Sequence, residues 1–215
     1  MSEKRLTIRD GDVDTTVIAD FEATRRDAVR RGLILGGGVI AASSVPLLLR
    51  VRNAFAQSEG DAGILEAAIG LEQTAVVAYE TAAKSGKLKP PVEAAARLFQ
   101  KQEQEHADAL VAALHDLGGT PPAAPRASDV EGLSDVRNQN DILNFAIELE
   151  KMTVVAYVDA AGKLRSPELV KTGAQIVSNE AQHLVVLREA LGKDPVPGAF
   201  EAGQSEEQPA APSGP

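Results

Sequence analysis

Leu71-Glu72-Gln73-Thr74-Ala75-Val76-Val77-Ala78-Tyr79 returns 78 residues later as Leu149-Glu150-Lys151-Met152-Thr153-Val154-Val155-Ala156-Tyr157. A second pair of stretches is related in the same way. Glu103-Gln104-Glu105-His106 and Glu180-Ala181-Gln182-His183 lie 77 residues apart, and Pro90 and Pro167 keep that offset. Self-similarity of this kind means that the chain is built from two copies of one structural unit.

The boundaries of that unit read as helices. The first runs from about Ala62 to Lys84 and stops at Ser85-Gly86, a common helix end. The second starts at Pro90-Pro91, where proline suits the first turn, and runs to Leu117 before Gly118-Gly119. The third covers about Asn140 to Ala161 and ends at Gly162. The fourth opens with Ser166 as N-cap and Pro167 in the first turn, and ends at Leu191-Gly192. About five residues join helices one and two, and likewise three and four, so each pair is an antiparallel hairpin. Gly118 to Gln139, with Pro121, Pro122 and Pro125, is long enough to be a crossover. The expected fold is all-α: a four-helix bundle of two antiparallel hairpins joined by one long crossover. Beyond Lys193 the composition turns to Pro, Gly, Glu and Ala, and residues 193–215 read as a disordered tail.

Each half then contributes one Glu from its first helix and a Glu-x-x-His from its second. Positions three apart on a helix lie roughly 60° apart around its axis, so the carboxylate and imidazole can reach the same region of space. Four Glu and two His converging in one bundle make a two-metal site: Glu72, Glu103, His106, Glu150, Glu180 and His183. Charge supports it, because four carboxylates balance two divalent cations while neutral His adds nothing. Without ions the same carboxylates would crowd together in a low dielectric unless they took up protons. One Glu-x-x-His in an acidic helical chain means little, but here two of the three His fall at equivalent places of a repeat. Helical geometry rejects the neighbours. Glu148 and Glu105 are two residues from a ligand, about 160° round the helix, and are expected to face solvent. Glu66 and Glu80 are off the Glu72 face, and His115 reads as a surface residue. Tyr79 and Tyr157 stand two turns after Glu72 and Glu150 on the same stripe. They are expected either to hydrogen-bond metal-bound carboxylates or simply to fill the core.

Composition agrees with a helical, cysteine-free chain. The 215 residues include 3% aromatics, with no Trp, two Tyr and five Phe, so the core must be built from Ala, Leu, Val and Ile, a palette suited to helices. Zero Cys excludes disulfides, zinc ribbons, cysteine-held iron–sulfur clusters and thiol nucleophiles. A net charge of −9 argues against nucleic acid as a partner.

The charge is unevenly spread. Residues 1–56 hold nine Lys/Arg and seven Asp/Glu, whereas residues 57–215 hold thirteen and twenty-four. Within the first part, Thr24-Arg25-Arg26-Asp27-Ala28-Val29-Arg30-Arg31 precedes eighteen uncharged residues, Gly32 to Leu49, and then Ala54-Phe55-Ala56-Gln57. Basic, then apolar, then small-x-small is the layout of an export signal, with cleavage expected after Ala56. The paired arginines Arg25 and Arg26 and the glycine-rich middle resemble a twin-arginine signal, whose pathway carries folded proteins. Ala28 stands where Phe is usual, and Arg30-Arg31 is a second candidate pair. The alternative is an uncleaved N-terminal anchor, since eighteen apolar residues just reach spanning length. With no Cys after the apolar run, a lipoprotein anchor is excluded.

Residues 62–191 resemble the ferritin-like superfamily, and in particular its exported twin-arginine members. That resemblance implies a di-iron or di-manganese carboxylate site with the six residues above as ligands. Two of the Glu would bridge, Glu103 and Glu150 or their repeat mates. The cofactors implied are two divalent metal ions, iron before manganese. A bacterioferritin-like haem is not expected, since Met152 is the only internal Met. Rubrerythrins carry a cysteine-held iron domain, which this chain lacks, and a further Glu where Thr153 stands here. Cage-forming ferritins usually add a short fifth helix, and the tail after Gly192 offers none. The function implied is oxidoreductase chemistry on peroxide or dioxygen: peroxidase, ferroxidase or catalase-like. The alternative is a non-catalytic metal-binding or stress-related structural protein of the cell envelope. The partners implied are the twin-arginine export machinery, peroxide or O2 as small substrate, an electron donor, and further copies of the chain as a homo-oligomer. The location implied is the periplasm or the envelope outside the cytoplasmic membrane.

Lysine at Arg25 and Arg26, combined with lysine at Arg30 and Arg31, is expected to hold the protein in the cytoplasm. Cell fractionation checks this, and an unaltered distribution in the fourfold variant would overturn the twin-arginine reading.

Overall fold

The computed structural model describes residues 58–201 continuously, together with Ile8–Arg9, Asp12–Val13, Phe55 and Gly203. The chain divides into two compact units, residues 1–40 and 41–215. In the first, Ile8–Arg9 (β1) pairs antiparallel with Asp12–Val13 (β2), Ile8 opposite Val13. The signal arginines Arg25 and Arg26, and Ala54 and Ala56 of the expected cleavage site, lie outside the described residues.

The second unit is an all-α four-helix bundle: α1 (Gly60–Lys84), α2 (Pro90–Asp116), α3 (Gln139–Ala161) and α4 (Pro167–Ala190). The boundaries fall within two residues of those read from the sequence, because local chemistry sets them. Pro90 and Pro167 occupy first turns, where their missing N–H costs nothing. Ser166 caps α4 by accepting from the Leu169 N–H, and Asn138 caps α3 by accepting from the Asp141 N–H. Gly86 and Gly118, just past α1 and α2, have φ of +67° and +76°, a backbone that only glycine adopts freely.

Connections of five residues make α1–α2 and α3–α4 hairpins. α1 also packs against α3, and α2 against α4. The crossover is not loose: 3₁₀ turns at Ala127–Asp129 and Leu133–Asp135 bring Val130 and Leu133 into the core. Much of that core is alanine, including Ala68, Ala75, Ala78, Ala82, Ala146 and Ala156. Small side chains let helix axes approach closely, which suits the scarcity of aromatics.

Contacts at the end of the bundle where α1 begins tie the hairpins together. The Asp61 carboxylate, in the first turn of α1, accepts from the backbone N–H groups of Arg165 and Ser166 at 2.8 and 3.0 Å. Phe55 is buried in the core, and its carbonyl accepts from Lys163 Nζ at 3.0 Å. A cut after Ala56 would detach that side chain. Part of the segment expected to be a disordered tail is placed on the bundle. Arg188, buried on α4, pairs with Glu201 at 2.6 Å, and Gly203 packs so tightly on α3 that a Cβ there would lie 2.2 Å from the Lys151 carbonyl oxygen. Charge pairing and a glycine-only fit hold this stretch, and a composition average conceals both. Among the described residues no helix is long and apolar enough to cross a membrane.

Candidate metal centre

Near the midpoint of each helix a glutamate points inward: Glu72 on α1, Glu103 on α2, Glu150 on α3 and Glu180 on α4. All four are 0–1% exposed. One turn beyond Glu103 and Glu180 stand His106, half-buried, and His183, fully buried. The structure therefore brings all six predicted residues together, in two overlapping groups. Glu72, Glu103, His106 and Glu180 form one; Glu103, Glu150, Glu180 and His183 form the other. Within each group one donor atom per residue lies within 4.8 Å of every other. Glu103 and Glu180 belong to both. The shared carboxylates are thus the repeat-related pair of the Glu-x-x-His motifs, while Glu72 and Glu150 each serve one group. The reason is topological: both motifs sit on the second helix of a hairpin, so their carboxylates meet on the bundle axis.

The neighbours behave as helical geometry requires. Glu105 and Glu66 are exposed, and so is His115. Glu80 and Glu148 pair with Lys84 and Lys151 on their own helices. Thr153, buried, donates back to the Leu149 carbonyl at 3.1 Å and brings no carboxylate to the cluster.

Three further side chains orient three of the six. The Tyr79 hydroxyl donates to Glu150, and the Tyr157 hydroxyl donates to Glu72. Each tyrosine thus reaches the glutamate of the opposite half, and the two bonds are related by the repeat. Burial first, and the facing carboxylates second, push both phenols well above their ordinary value, so they remain neutral donors. Gln102 is the third. Its side-chain oxygen lies 2.9 Å from His183 Nε2, so the ring donates there and turns Nδ1 toward the carboxylates. Sequence reasoning missed Gln102. The signal was an amide residue ahead of the glutamate in both halves, Gln102 and Asn179. Phe99 stacks on His183 at 4.0 Å between ring centroids and meets Tyr79 edge-on, closing the site with apolar surface.

The electrostatics show what the cluster lacks. Glu72 Oε2, Glu103 Oε1, both Glu180 oxygens and His183 Nδ1 are buried without a hydrogen-bond partner. They approach one another, His183 Nδ1 lying 3.1 Å from oxygens of Glu103 and Glu180, without forming hydrogen bonds there. Burial, reinforced by neighbouring carboxylates, drives Glu72 and Glu150 well above the usual carboxylate range. Burial alone would lower both imidazoles, but the negative charge of the surrounding carboxylates, 3.0–3.5 Å away, outweighs it and pushes each up to about 12. Glu180 goes the other way: burial opposes ionisation, yet His106 and His183 together hold it down at about 2. Orphaned oxygen and nitrogen donors in a site that demands positive charge fit divalent cations, of the kind that accept carboxylate and imidazole together.

The sequence pattern of the ferritin-like domain matches residues 60–193. The chain belongs to the ferritin-like domain family. A conserved hypothetical protein of Mycobacterium tuberculosis, rv2844, is similar in structure, with a TM-score of 0.54 at 18% identity over 70% of this chain and 99% of that one. At that identity the likeness speaks to the fold. No curated protein matches. A ferritin-like domain with this carboxylate and histidine cluster is a metal-binding one.

The shared and unshared ligands should differ on substitution. Glu103→Ala and Glu180→Ala are expected to lower bound metal from about two ions per chain to near none, and Glu72→Ala to about one, because Glu72 belongs to a single group. Glu105→Ala and His115→Ala should keep the wild-type content. Metal analysis of the purified variants checks this, and equal loss in all five would overturn the assignment.

Proposed function

We propose that this ferritin-like protein is exported in folded form, holds two divalent ions on its six central side chains, and acts on peroxide or dioxygen. The observation that carries the reading is the pair of carboxylates common to both groups, Glu103 and Glu180, which suits two ions held side by side rather than one. Two such ions, when bound, supply Lewis acidity and, if redox-active, electrons to a dioxygen-sized substrate. Iron is the first choice and manganese the second; both accept oxygen and imidazole donors.

The chain's own residues provide the rest. Glu72 with His106, and Glu150 with His183, serve as the unshared donors at the two ends of the site. Tyr79 and Tyr157 hold Glu150 and Glu72 from outside, so that the carboxylates cannot swing away, and each keeps its proton available at the hydroxyl oxygen. Phe99 and the alanine-rich walls exclude bulk water. His106 is the half-buried ligand, and it marks the side from which a small molecule has the shortest way in. Export rests on the arginine pairs, the apolar run and the Ala54-Phe55-Ala56 pattern; loading with metal before transport suits a pathway for folded proteins.

The test is to load metal-stripped protein with iron(II) or manganese(II), supply a reducing dye as electron donor, and follow dioxygen with an oxygen electrode and peroxide by a colorimetric assay. Turnover of either, abolished by Glu103→Ala, is expected. Two tightly bound ions without consumption of peroxide or dioxygen would overturn the redox assignment and favour a structural role in the envelope.

A further inference from the structure

The end of the bundle formed by the C-termini of α1 and α4 and the N-termini of α2 and α3 is not filled. A recess of about 480 Å³ opens there, walled by all four helices and by Leu133 and Val136 of the crossover. That volume lies within the range of small-molecule sites, roughly 300–1,000 Å³. Its inner wall is buried and apolar: Leu143 and Leu149 are 1% exposed, Tyr79 3%, and Ala96 and Ala146 6%. The hydroxyl protons of the wall are already donated within the protein, so none is left for an anionic head there. Thr81 Oγ1 donates to the Val77 carbonyl, Ser85 Oγ to the Ala82 carbonyl, and the Tyr79 hydroxyl to Glu150.

Charge appears only on exposed residues of the lining, Lys87 and Glu189. Lys87 Nζ donates to the Val136 carbonyl, itself part of the wall, at 2.8 Å. That bond holds the ammonium over the opening and leaves two of its three protons for another acceptor. A flat protein surface cannot enter a recess enclosed on this many sides, whereas a flexible hydrocarbon can, and gains by covering surface that water otherwise wets poorly.

We infer that this recess binds an amphiphile with a hydrocarbon body and an anionic head, the body seated between the four helices and the head on Lys87. The far end of the body would lie against the Tyr79 ring and Leu149, the residue before Glu150. The site is distinct from the carboxylate cluster, and its occupancy needs no metal chemistry, so it stands or falls apart from the redox reading.

The probe is dodecanoate, titrated by calorimetry into the full-length metal-loaded protein, with dodecanol as the neutral-headed comparison. Saturable binding of one dodecanoate per chain is expected. Ala146→Trp and Ala95→Trp, which fill the recess from α3 and α2, should weaken it at least tenfold. Lys87→Ala should weaken dodecanoate several-fold and leave dodecanol unchanged. Phe200→Ser removes an apolar side chain that is 91% exposed and lies outside the lining, so it should change nothing. If Ala146→Trp loses its helical circular dichroism, Ala95→Trp, at a half-buried position, decides. No saturable binding, or equal binding in the recess-filling variants, overturns the inference. So would variants that alter only self-association, because a second copy of the chain would then be the occupant.

Discussion

Four carboxylates withdrawn from water to a common point are the constraint on which the rest of this structure depends. An isolated buried carboxylate is costly, and four together are far more so unless positive charge is supplied on the spot. Two imidazoles pushed up to about 12 show how strongly the cluster demands it. The cluster is built symmetrically, with one Glu from each helix, one His from each hairpin, and tyrosines that cross from each half to hold the other's glutamate. This reciprocity binds the two halves more specifically than apolar packing alone, since Tyr79 and Tyr157 are satisfied only when both hairpins are in register. The alanine core has the same consequence, because helices must approach closely for six side chains to meet.

Much of this was legible in the sequence. Proline and glycine punctuation gave the four helices, and connection lengths gave the hairpins and the crossover. The repeat singled out Glu72, Glu103, His106, Glu150, Glu180 and His183, because one Glu and one Glu-x-x-His recur at equivalent places in each half. Three features were not legible, each for a physical reason. Which carboxylates are shared depends on how α2 and α4 face each other across the axis, which spacing along one helix does not contain. The tyrosines' partners are on the opposite half, 71 and 85 residues away, and a stripe on one helix points only to its own glutamate. The Arg188–Glu201 pair and the close fit of Gly203 depend on where the chain turns after α4, which a Pro/Gly/Glu composition leaves open.

The bundle also separates two kinds of space. The central cluster is polar, enclosed and short of positive charge; the recess at one end is apolar and opens beside Lys87. Tyr79 stands between them, its hydroxyl on Glu150 and its ring on the recess wall. A change in what fills the recess therefore bears on a side chain that positions the Glu150 carboxylate.

The central claim is that two buried ions compensate the cluster, and the pH dependence of stability tests it most directly. In the metal-free protein, His106 and His183, raised from 6.5 to about 12, and the raised Glu72 and Glu150 all retain protons that the unfolded chain releases, so stability falls as pH climbs through 6.5 and beyond. Glu180, held at about 2, has the opposite sign, but its window closes at acid pH and does not reach this range. Bound ions replace those protons and add stability by mass action, about 2.7 kcal/mol at a free concentration 100 times the dissociation constant. Scanning calorimetry of chelated and metal-loaded protein at pH 6 and pH 8 should show the chelated form melting lower at pH 8 than at pH 6, with the gap to the loaded form widest at pH 8. Equal melting temperatures with and without metal at both pH values would contradict the account.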